Sequence, residues 1–316
     1  MERLPSGEQY RIAHGDQQAT IVEVGGGVRE YSQAGRPILD PYNAASMCDG
    51  AHGTPLIPWP NRLAGGRYRF DGRDYQVALT EPAKGNAIHG FLRWRPWRAI
   101  RHEADRVVMA ATVFPESGYP FLLDVAVDYR LTGEGLVVTT TATNAGDRAC
   151  PYGCGQHPYL SPGSGLLDDC DLEFAAETRI TTDEPRQLPV GTESIGGTPF
   201  DFRTRRRIGS LHIDFAFTDL ARDSEGRAWV RLWGTDGHCA ELWVDARGAP
   251  QGAGLRKPYP FVEIYTGDTL APERRRRGLG TEPMSCPPNA LQSGEGVIRL
   301  QPGASVTTRW GSRLGA

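Results

Sequence analysis

Four short segments of the sequence each place an ionisable side chain among glycine, proline or aromatic residues. They are residues 58–63, 86–91, 155–160 and 279–284, and their ionisable side chains are Arg62, His89, His157 and Glu282. Such surroundings are typical of strand ends and loops that line a cleft. Taken singly, each has an ordinary structural explanation: a structural histidine, a solvated loop arginine, or a glutamate that caps a turn. Together they supply a carboxylate, two imidazoles and a guanidinium, which suit proton transfer and hydrogen bonding to a polar ligand.

The elements that must position these residues read as β-strands. In residues 67–77 every second residue is apolar on each side of Asp71-Gly72, and Asp-Gly suits a type I′ turn, so the stretch predicts a hairpin. Alternating runs also occupy residues 124–130, 136–143, 228–233, 241–244 and 297–300, and residues 19–24 and 28–31 flank a Gly-Gly-Gly turn. No long segment has apolar residues at helical spacing. The pattern predicts a mostly antiparallel all-β chain, with two large packed sheets or an open barrel.

Length, charge and hydropathy narrow the class of protein. A chain of 316 residues buries a sizeable core, and no linker, repeat or composition shift divides it, so we expect one domain over residues 1–316. Lys and Arg (35) nearly balance Asp and Glu (38), which argues against a nucleic-acid partner because such binders carry a basic excess. No apolar stretch approaches the ~18 residues that span a bilayer, and the first residues lack the layout of a secretory signal. We expect a cytoplasmic protein without a membrane partner.

The cysteines and the clustered arginines have ordinary structural explanations. Only Cys150 and Cys154 are close in sequence, and they lack a second pair or a histidine pair at zinc-finger spacing. The six cysteines are therefore predicted to be reduced and partly buried thiols, with a structural zinc site as the alternative. The arginine-rich runs 203–207 and 274–277 are interpreted as solvated loops, with a sugar-phosphate pocket as the alternative.

The order of the motifs resembles a known family. The strings PWPNRL (58–63), HG (89–90), HPY (157–159) and EPMSCPPNA (282–290) occur in this order. In combination they resemble the aldose 1-epimerase (galactose mutarotase) family, and especially its bacterial branch, from the N-terminal glycine-rich turn to Pro302-Gly303. The resemblance implies a galactose mutarotase-like supersandwich of large antiparallel sheets, which agrees with the strand pattern. It also implies an isomerase that interconverts the α and β anomers of a free hexose or a related aldose.

The resemblance also implies roles for particular residues. The family's catalytic glutamate, which lies shortly before a Pro-Asn element, falls on Glu282, and its catalytic histidine, which precedes an aromatic residue, falls on His157. The residues that match sugar-binding positions of the family are Asn61, Arg62, His89 and Asp214. No cofactor and no metal is expected, because two side chains suffice for the reaction. The expected partner is a small sugar, and the protein is expected to be a monomer or a weak homodimer.

Glu263 departs from the family pattern. Many relatives carry a glutamine that touches the sugar at this position, before Tyr265-Thr266-Gly267. A carboxylate accepts hydrogen bonds but does not donate them unless it is protonated, so the change bears on which sugar is bound. Glu263 is assigned to substrate binding, and it is also a rival of Glu282 for the role of base. Glu282 is preferred because the family places its base in the last segment before the Pro-Asn element.

Interconverting anomers requires a base at the C1 hydroxyl group and an acid at the ring oxygen. Glu282 suits the base, because burial raises the pKa of a glutamate from ~4.3 toward neutrality. His157 suits the acid, because a pKa near ~6.5 leaves a protonated fraction, which a carboxylate such as Asp214 is expected to enlarge. The hypothesis requires these two side chains, far apart in the sequence, to meet in one cavity.

Two other functions stay open from the sequence. A hexose-6-phosphate 1-epimerase on the same fold would use Arg62 and the run 274–277 to bind phosphate. A non-catalytic sugar-binding protein would keep the fold without the reaction. Pure binding does not require a matched acid and base, and the presence of both Glu282 and His157 weighs against that alternative.

Overall fold

Strands make up nearly all of the regular structure. The structure is a computed structural model, and it describes residues 4–163, 165–245 and 259–315. Within these ranges the strands of the first half are β1 (Gln9–His14), β2 (Gln17–Val22), β3 (Val28–Gln33), β4 (Arg36–Leu39), β5 (Pro55–Leu56), β6 (Arg62–Ala64), β7 (Arg67–Phe70), β8 (Arg73–Gln76), β9 (Asn86–Ile88), β10 (Arg98–His102), β11 (Arg106–Val113), β12 (Leu123–Thr132) and β13 (Gly135–Asn144). Those of the second half are β14 (Cys150–Tyr152), β15 (Gly155–Gln156), β16 (Tyr159–Leu160), β17 (Asp171–Phe174), β18 (Thr178–Thr182), β19 (Pro189–Ser194), β20 (Arg206–Arg207), β21 (Asp214–Thr218), β22 (Arg227–Trp233), β23 (Cys239–Asp245), β24 (Phe261–Tyr265), β25 (Leu279–Met284), β26 (Ile298–Leu300) and β27 (Ser305–Gly315).

Helical segments are short. They comprise 3₁₀ turns at Pro82–Lys84, Leu92–Trp94 and Leu167–Asp169 and one α-helix, α1, at Ala290–Ser293. In the part of the chain that the structure describes, no helix has the length and apolar character that a bilayer span requires. This agrees with the lack of helical periodicity in the sequence.

Two large antiparallel sheets form the body of the molecule. Sheet I has the order β1-β2-β3-β4-β16-β25-β24-β21-β18-β19, and β15 pairs with β25 and with β5 at its centre. Sheet II has the order β10-β11-β12-β13-β27-β23-β22-β17-β20. β4 and β16 of sheet I pack against strands of sheet II, and one apolar core contains residues of both, among them Tyr31, Ile264, Val138 and Leu232. The predicted all-β fold of large packed antiparallel sheets is confirmed.

The local strand predictions agree with the structure to within a few residues. β7 and β8 form the predicted hairpin, and Asp71 and Gly72 at its turn have positive φ values of 50° and 76°, as a type I′ turn requires. The runs predicted at 124–130 and 136–143 are the cores of β12 and β13, which pair with each other. All six cysteines are free thiols and five of them are buried, as the reduced-thiol interpretation predicts.

The register at the centre of sheet I brings polar residues together. β25 lies between β16 and β24; Glu282 is directly opposite Glu263, and Gly280 is opposite both Tyr159 and Tyr265. Asp214 on β21 is opposite Tyr265. Opposed residues, and residues two apart in a strand, share a face of the sheet. The residues on this common face are therefore Tyr159, Asp214, Glu263, Tyr265 and Glu282.

Candidate active site

Glu282 and His157 meet on this common face. Glu282 lies within β25, and His157 lies in the short gap between β15 and β16. The His157 backbone is held on both sides, because its N–H donates to the Thr54 carbonyl (3.1 Å) and its carbonyl accepts from the Gly53 N–H (2.8 Å). Nε2 of His157 lies 3.1 Å from Oε1 of Glu282. With only 4% and 2% of their surfaces exposed, the two residues form a buried pair, and the expected meeting in space is confirmed.

Ring contacts fix the orientation of the His157 imidazole. The Tyr159 ring is stacked on it, with centroids 4.9 Å apart and planes 14° apart. His89 approaches edge-on, at 5.4 Å and 75°. Among the described residues Nδ1 of His157 has no hydrogen-bond partner, so packing rather than a second hydrogen bond orients the ring. The Tyr159 hydroxyl group donates to the Gly50 carbonyl (3.1 Å), which anchors the stacked ring in turn.

A second buried histidine extends the stack. His52 is stacked on Tyr159, with centroids 4.3 Å apart. Its Nδ1 accepts from the Arg274 guanidinium (3.3 Å), so its Nε2 donates to the Asp40 carbonyl (2.6 Å). Arg274 also donates to the Asp40 carboxylate (2.5 Å). Burial lowers the pKa of His52 to about 3, so this histidine is neutral and acts as a packing element behind the acid–base pair.

Asn61 and His89 form a tight reciprocal contact beside the pair. Both have positive φ, at 56° and 63°. The His89 N–H donates to the Asn61 carbonyl and the Asn61 N–H donates to Nδ1 of His89, each at 3.1 Å. Because Nδ1 is an acceptor, the neutral His89 ring carries its proton on Nε2 and has a donor to offer. A Cβ at Gly90 would lie 1.9 Å from the Ile57 carbonyl oxygen, which explains the glycine of the His-Gly motif.

Arg62 is positioned from both sides. Its guanidinium donates to the Glu81 carboxylate through Nε (3.0 Å) and a terminal nitrogen (3.1 Å). Its carbonyl accepts from the Asn289 N–H (2.7 Å), and Oδ1 of Asn289 accepts from the Ala64 N–H (3.0 Å). Oδ1 of Asn61 accepts from the Arg62 N–H (2.7 Å), so this oxygen shapes the loop. The Pro-Asn element that served as a sequence marker thus braces the strand that carries Arg62.

Asp214 closes another side of the site. One of its carboxylate oxygens accepts a hydrogen bond from the Gln187 side chain, whose own oxygen accepts from Lys84. Lys84 also lies 3.7 Å from the Glu81 carboxylate. A network of polar side chains therefore connects Asp214 with the group that holds Arg62.

Burial dominates the electrostatics of the two glutamates. It raises the pKa of Glu282 well above its usual range, and the nearby Asp214 carboxylate raises it further while Arg62 opposes the shift. Burial likewise raises the pKa of Glu263, with Glu282 and Asp214 adding to the effect. Oε2 of each glutamate is buried, and neither has a hydrogen-bond partner among the described residues. These free oxygens are acceptors available to a polar ligand.

His157 differs from the sequence-based expectation in its protonation. Burial lowers its pKa, and the neighbouring His52 adds to the effect, whereas a protonated fraction enlarged by Asp214 was expected. The expectation was wrong because it treated the imidazole as solvated. The free energy needed to bury an imidazolium exceeds the stabilisation that the Asp214 carboxylate provides. Burial therefore favours a neutral imidazole facing a protonated Glu282 carboxyl group, with one proton between two atoms that are 3.1 Å apart.

Comparison with known proteins identifies the family. The family described as Aldose 1-epimerase matches residues 8–310. YihR of Escherichia coli, described as uncharacterized, is 34% identical over 299 residues, which cover 94% of this chain and 90% of YihR. The chain belongs to the aldose 1-epimerase family. It is an isomerase of the epimerase type.

Further relatives agree with this membership. The Escherichia coli protein named aldose 1-epimerase is 27% identical to the epimerase described here over 240 residues, which cover 73% of this chain and 66% of that protein. A solved GalM/aldose epimerase homologue from C. elegans has a TM-score of 0.83 at 17% identity and covers 98% of both chains. This structural likeness shows that the folds are the same.

The epimerase brings together all the site residues predicted from the sequence. His157 contacts Glu282 and His89, His89 contacts Asn61, and Asp214 and Glu263 share a face with Glu282. Arg62 is near enough to Asp214 and Glu263 to interact with both charges. His89, His157 and Glu282 also offer ligand atoms within 4.8 Å of one another, so this trio is able to hold a metal ion. The direct bond between His157 and Glu282 satisfies those two atoms without an ion.

The sequence did not reveal four supporting residues, Tyr159, His52, Glu81 and Gln187. Tyr159 was visible only as the aromatic residue of the His-Pro-Tyr string. His52 belongs to no recognised motif, and it lies in a turn more than a hundred residues before Tyr159 in the sequence. Glu81 is the partner of Arg62, and its position before a Pro82 turn was the available signal. Such partners are set by tertiary packing, which residue types and spacing do not encode directly.

The arginine runs divide into two classes. Arg203, Arg205 and Arg207 form exposed ion pairs on the surface, so the prediction of solvated side chains is confirmed, but Arg206 and Arg207 form the short strand β20 rather than a loop. That interpretation was wrong for two members of the run 274–277. Arg274 binds Asp40, and Arg276 donates to the carboxylates of Asp168 and Asp268. Both guanidinium groups therefore link the segment 274–277 to carboxylates of other connecting segments.

Proposed function

We propose that this protein is an aldose 1-epimerase (mutarotase) that interconverts the α and β anomers of a free hexose or a related aldose. The observation that carries the proposal is the buried contact of 3.1 Å between Nε2 of His157 and Oε1 of Glu282. The two sugar oxygens that exchange protons are both bonded to C1, so an acid and a base that serve them must be close neighbours. Glu282 and His157 meet this requirement with side chains fixed by the strand register and by ring packing.

Ring opening moves one proton at each oxygen. The Glu282 carboxylate takes the proton of the C1 hydroxyl group, the electron pair of that O–H bond forms the carbonyl at C1, and the bond from C1 to the ring oxygen breaks. The ring oxygen keeps that bond's electron pair and takes a proton from Nε2 of His157. Rotation about C1–C2 presents the other face of the carbonyl, and the reverse transfers close the ring. Each group ends in its original state.

Burial of the acid–base pair favours ring opening, because this step converts a charged pair into a neutral one. The reactive state has a carboxylate and an imidazolium, and the opened state has a carboxyl group and a neutral imidazole. A low-dielectric site disfavours the charged pair, and this matches the raised pKa of Glu282 and the lowered pKa of His157. The shared proton passes from Glu282 to His157 before the opening step, and ring opening returns the pair to its neutral form.

The remaining polar groups are placed to hold a polyhydroxylated ring. The free Oε2 atoms of Glu263 and Glu282 accept hydrogen bonds from sugar hydroxyl groups, and Nε2 of His89 donates. The Arg62 guanidinium, which is fixed by Glu81, lies near Asp214 and donates a hydrogen bond to the sugar there. Directional bonds of this kind restrict the sugar before its ring bond breaks.

A free sugar is favoured over a phosphorylated one. Asp214, Glu263 and Glu282 face the site, and the Asp214 carboxylate would repel a phosphate. Arg62 binds Glu81 and Arg274 binds Asp40, so the arginines that a phosphate would require already have carboxylate partners.

The proposal is tested by polarimetry on freshly dissolved pure anomers of a panel of aldoses, each also offered as its 6-phosphate. We expect the purified protein to accelerate the approach to rotational equilibrium for at least one free aldose, in proportion to enzyme concentration. A rate on the phosphates that exceeds the rate on every free sugar would overturn the preference for free sugars. Sugar binding measured by calorimetry without any acceleration would identify a non-catalytic sugar-binding protein instead.

A further inference from the structure

Glu263 and Asp214 present a second pair of carboxyl groups beside the acid–base pair. Asp214 lies diagonally across β21 and β24 from Glu263, on the same face of sheet I, and the two side chains are within hydrogen-bonding reach of each other. Two ionised carboxylates have no donor between them, so a bond at this position requires a proton. Glu263 is 2% exposed, so bulk solvent screens the contact little.

The charged groups that the structure describes around Glu263 provide no unpaired cation for its carboxylate, so a bound proton is the simplest way to neutralise it. Glu282 faces it from β25 and Asp214 from β21, and both are acidic. Arg62 on β6 is the cation that acts on Glu263, and its guanidinium hydrogen-bonds to Glu81. Lys84, which acts on Asp214 from the turn at Pro82–Lys84, hydrogen-bonds to Gln187. No described hydrogen bond reaches Oε2 of Glu263, although that atom is buried.

We propose that Glu263 is a protonated carboxyl group that donates its proton to Asp214 and offers its free oxygen to a sugar hydroxyl group, so that it positions the substrate as a glutamine side chain would. The proposal rests on the proposed epimerase function for its substrate. One donor and one free acceptor are the hydrogen-bonding pattern of a carboxamide. The protonated form also places one negative charge fewer beside Glu282. Glu263 is therefore a positioning residue, distinct from the acid–base pair.

The proton itself is detected by infrared spectroscopy without any substrate. The Glu282→Gln variant is used as the background, so that the carboxyl group of Glu282 does not contribute. At pH 7.5 we expect a C=O stretch of a buried protonated carboxyl group that disappears when Glu263→Gln is added. Adding Asp214→Asn instead should also remove it, because an asparagine donates to Glu263 and the shared proton is no longer needed. Absence of the band in Glu282→Gln, or its persistence in Glu282→Gln/Asp214→Asn, would overturn the proposal.

Kinetics separate this role from a merely structural one. In the wild-type protein we expect KM for the best aldose of the polarimetric panel to rise on the alkaline side as Glu263 loses its proton. The Glu263→Gln variant should show a KM that does not change over the same pH range, because an amide side chain does not titrate. A KM in Glu263→Gln that rises with pH as in wild type would contradict the assignment. If no aldose is turned over while the infrared band behaves as expected, the protonation of Glu263 is confirmed and the proposed epimerase function is refuted.

Discussion

Each of the two large sheets contains a pair of buried acidic side chains, and the surroundings of the two pairs differ. In sheet II, Glu241 accepts from Nε of Arg231 (2.8 Å) and of Arg313 (2.7 Å), and Asp245 accepts from Nε of Arg309 (3.0 Å). In sheet I, Glu263 and Glu282 each retain an oxygen without a partner among the described residues. All four residues are less than about a tenth exposed. Burial alone therefore does not mark a catalytic carboxylate.

The difference between the two pairs indicates which buried carboxyl groups stabilise the fold and which are available to a ligand. A buried charge is tolerated when guanidinium groups surround it, and such a pair contributes to the assembly of strands. Without a guanidinium the carboxyl group holds its proton to a higher pH, and its free oxygen is open to a ligand. The pair in sheet II holds β22, β23 and β27 together, and the pair in sheet I is available for chemistry. Five predictions test this contrast.

The largest effect is expected from Glu282→Gln. The amide is nearly the same size but does not accept a proton, so we expect kcat to fall by ~10²–10⁴-fold while sugar binding persists. Glu241→Gln is the matched control from sheet II and should keep kcat within about threefold of wild type, with a lower Tm. Polarimetric rates and calorimetric binding check both variants. Equal losses of kcat in the two variants would show that the contrast between the sheets has no bearing on catalysis.

His157→Asn removes the other half of the pair. We expect kcat to fall by ~10²–10³-fold, because the ring oxygen then leaves without a positioned acid. The exposed His212 supplies the control, since His212→Asn should leave the rate within about twofold of wild type. A near-normal rate in His157→Asn, measured at saturating sugar, would remove His157 from the mechanism.

The pH dependence should show a broad plateau. The pair works while it holds one proton, and an ordinary glutamate and histidine do so only between ~4.3 and ~6.5. Burial lowers the pKa of His157, so the second proton arrives only at more acidic pH. Burial raises the pKa of Glu282, so the last proton leaves only at more alkaline pH. We expect kcat to stay level across a window wider than the ordinary one and to fall by about tenfold per pH unit outside it. A narrow bell centred between ~4.3 and ~6.5 would indicate that the pair titrates as solvated groups do.

Tyr159 tests the ring packing that orients His157. Tyr159→Leu removes the stacked ring, and we expect kcat to fall by about fivefold to tenfold with a smaller change in KM, because the imidazole loses its fixed plane. Tyr159→Phe keeps the ring and loses only the hydrogen bond to Gly50, so its kcat should be within about twofold of wild type. If the Phe variant is as slow as the Leu variant, the hydroxyl group rather than the ring is what matters.

The smallest effect concerns stability. The folded-state pKa of Glu282 lies above its unfolded value, so the stability that this group contributes is complete at low pH and is lost as pH rises through the folded-state pKa. Glutamine does not titrate, so the Tm of Glu282→Gln should not fall for this reason. When the pH rises from 5 to 8, the difference in Tm between the variant and wild type should therefore shift in favour of the variant, by roughly 2 °C or more. Glu241→Gln should show no such gain, because its carboxylate is paired. Calorimetric melting curves at both pH values check the sign.

The sequence contained more information on the fold than on the protonation of the site. Alternation and the Asp71-Gly72 turn predicted the strands because both are local properties of the chain. The family strings predicted which residues would meet, and Glu282 and His157 do meet. The low pKa of His157 and the contact between Arg274 and Asp40 depend on packing between segments more than a hundred residues apart, and no local pattern encodes them. The single domain, the monomer or weak homodimer and the cytoplasmic location stay predictions.

Glu282 lies on an interior strand, with β15 and β16 hydrogen-bonded on one side and β24 on the other. Its backbone is released only when the sheet itself opens, so amide hydrogen exchange at this position should be among the slowest in the molecule. Asp214, by contrast, is held by Gln187 from a connecting segment, and such segments tolerate sequence change far better than ladders do. Substitutions in the segment that holds Asp214 are therefore expected to change which sugar is bound, while Glu282 on β25 keeps its position for proton transfer.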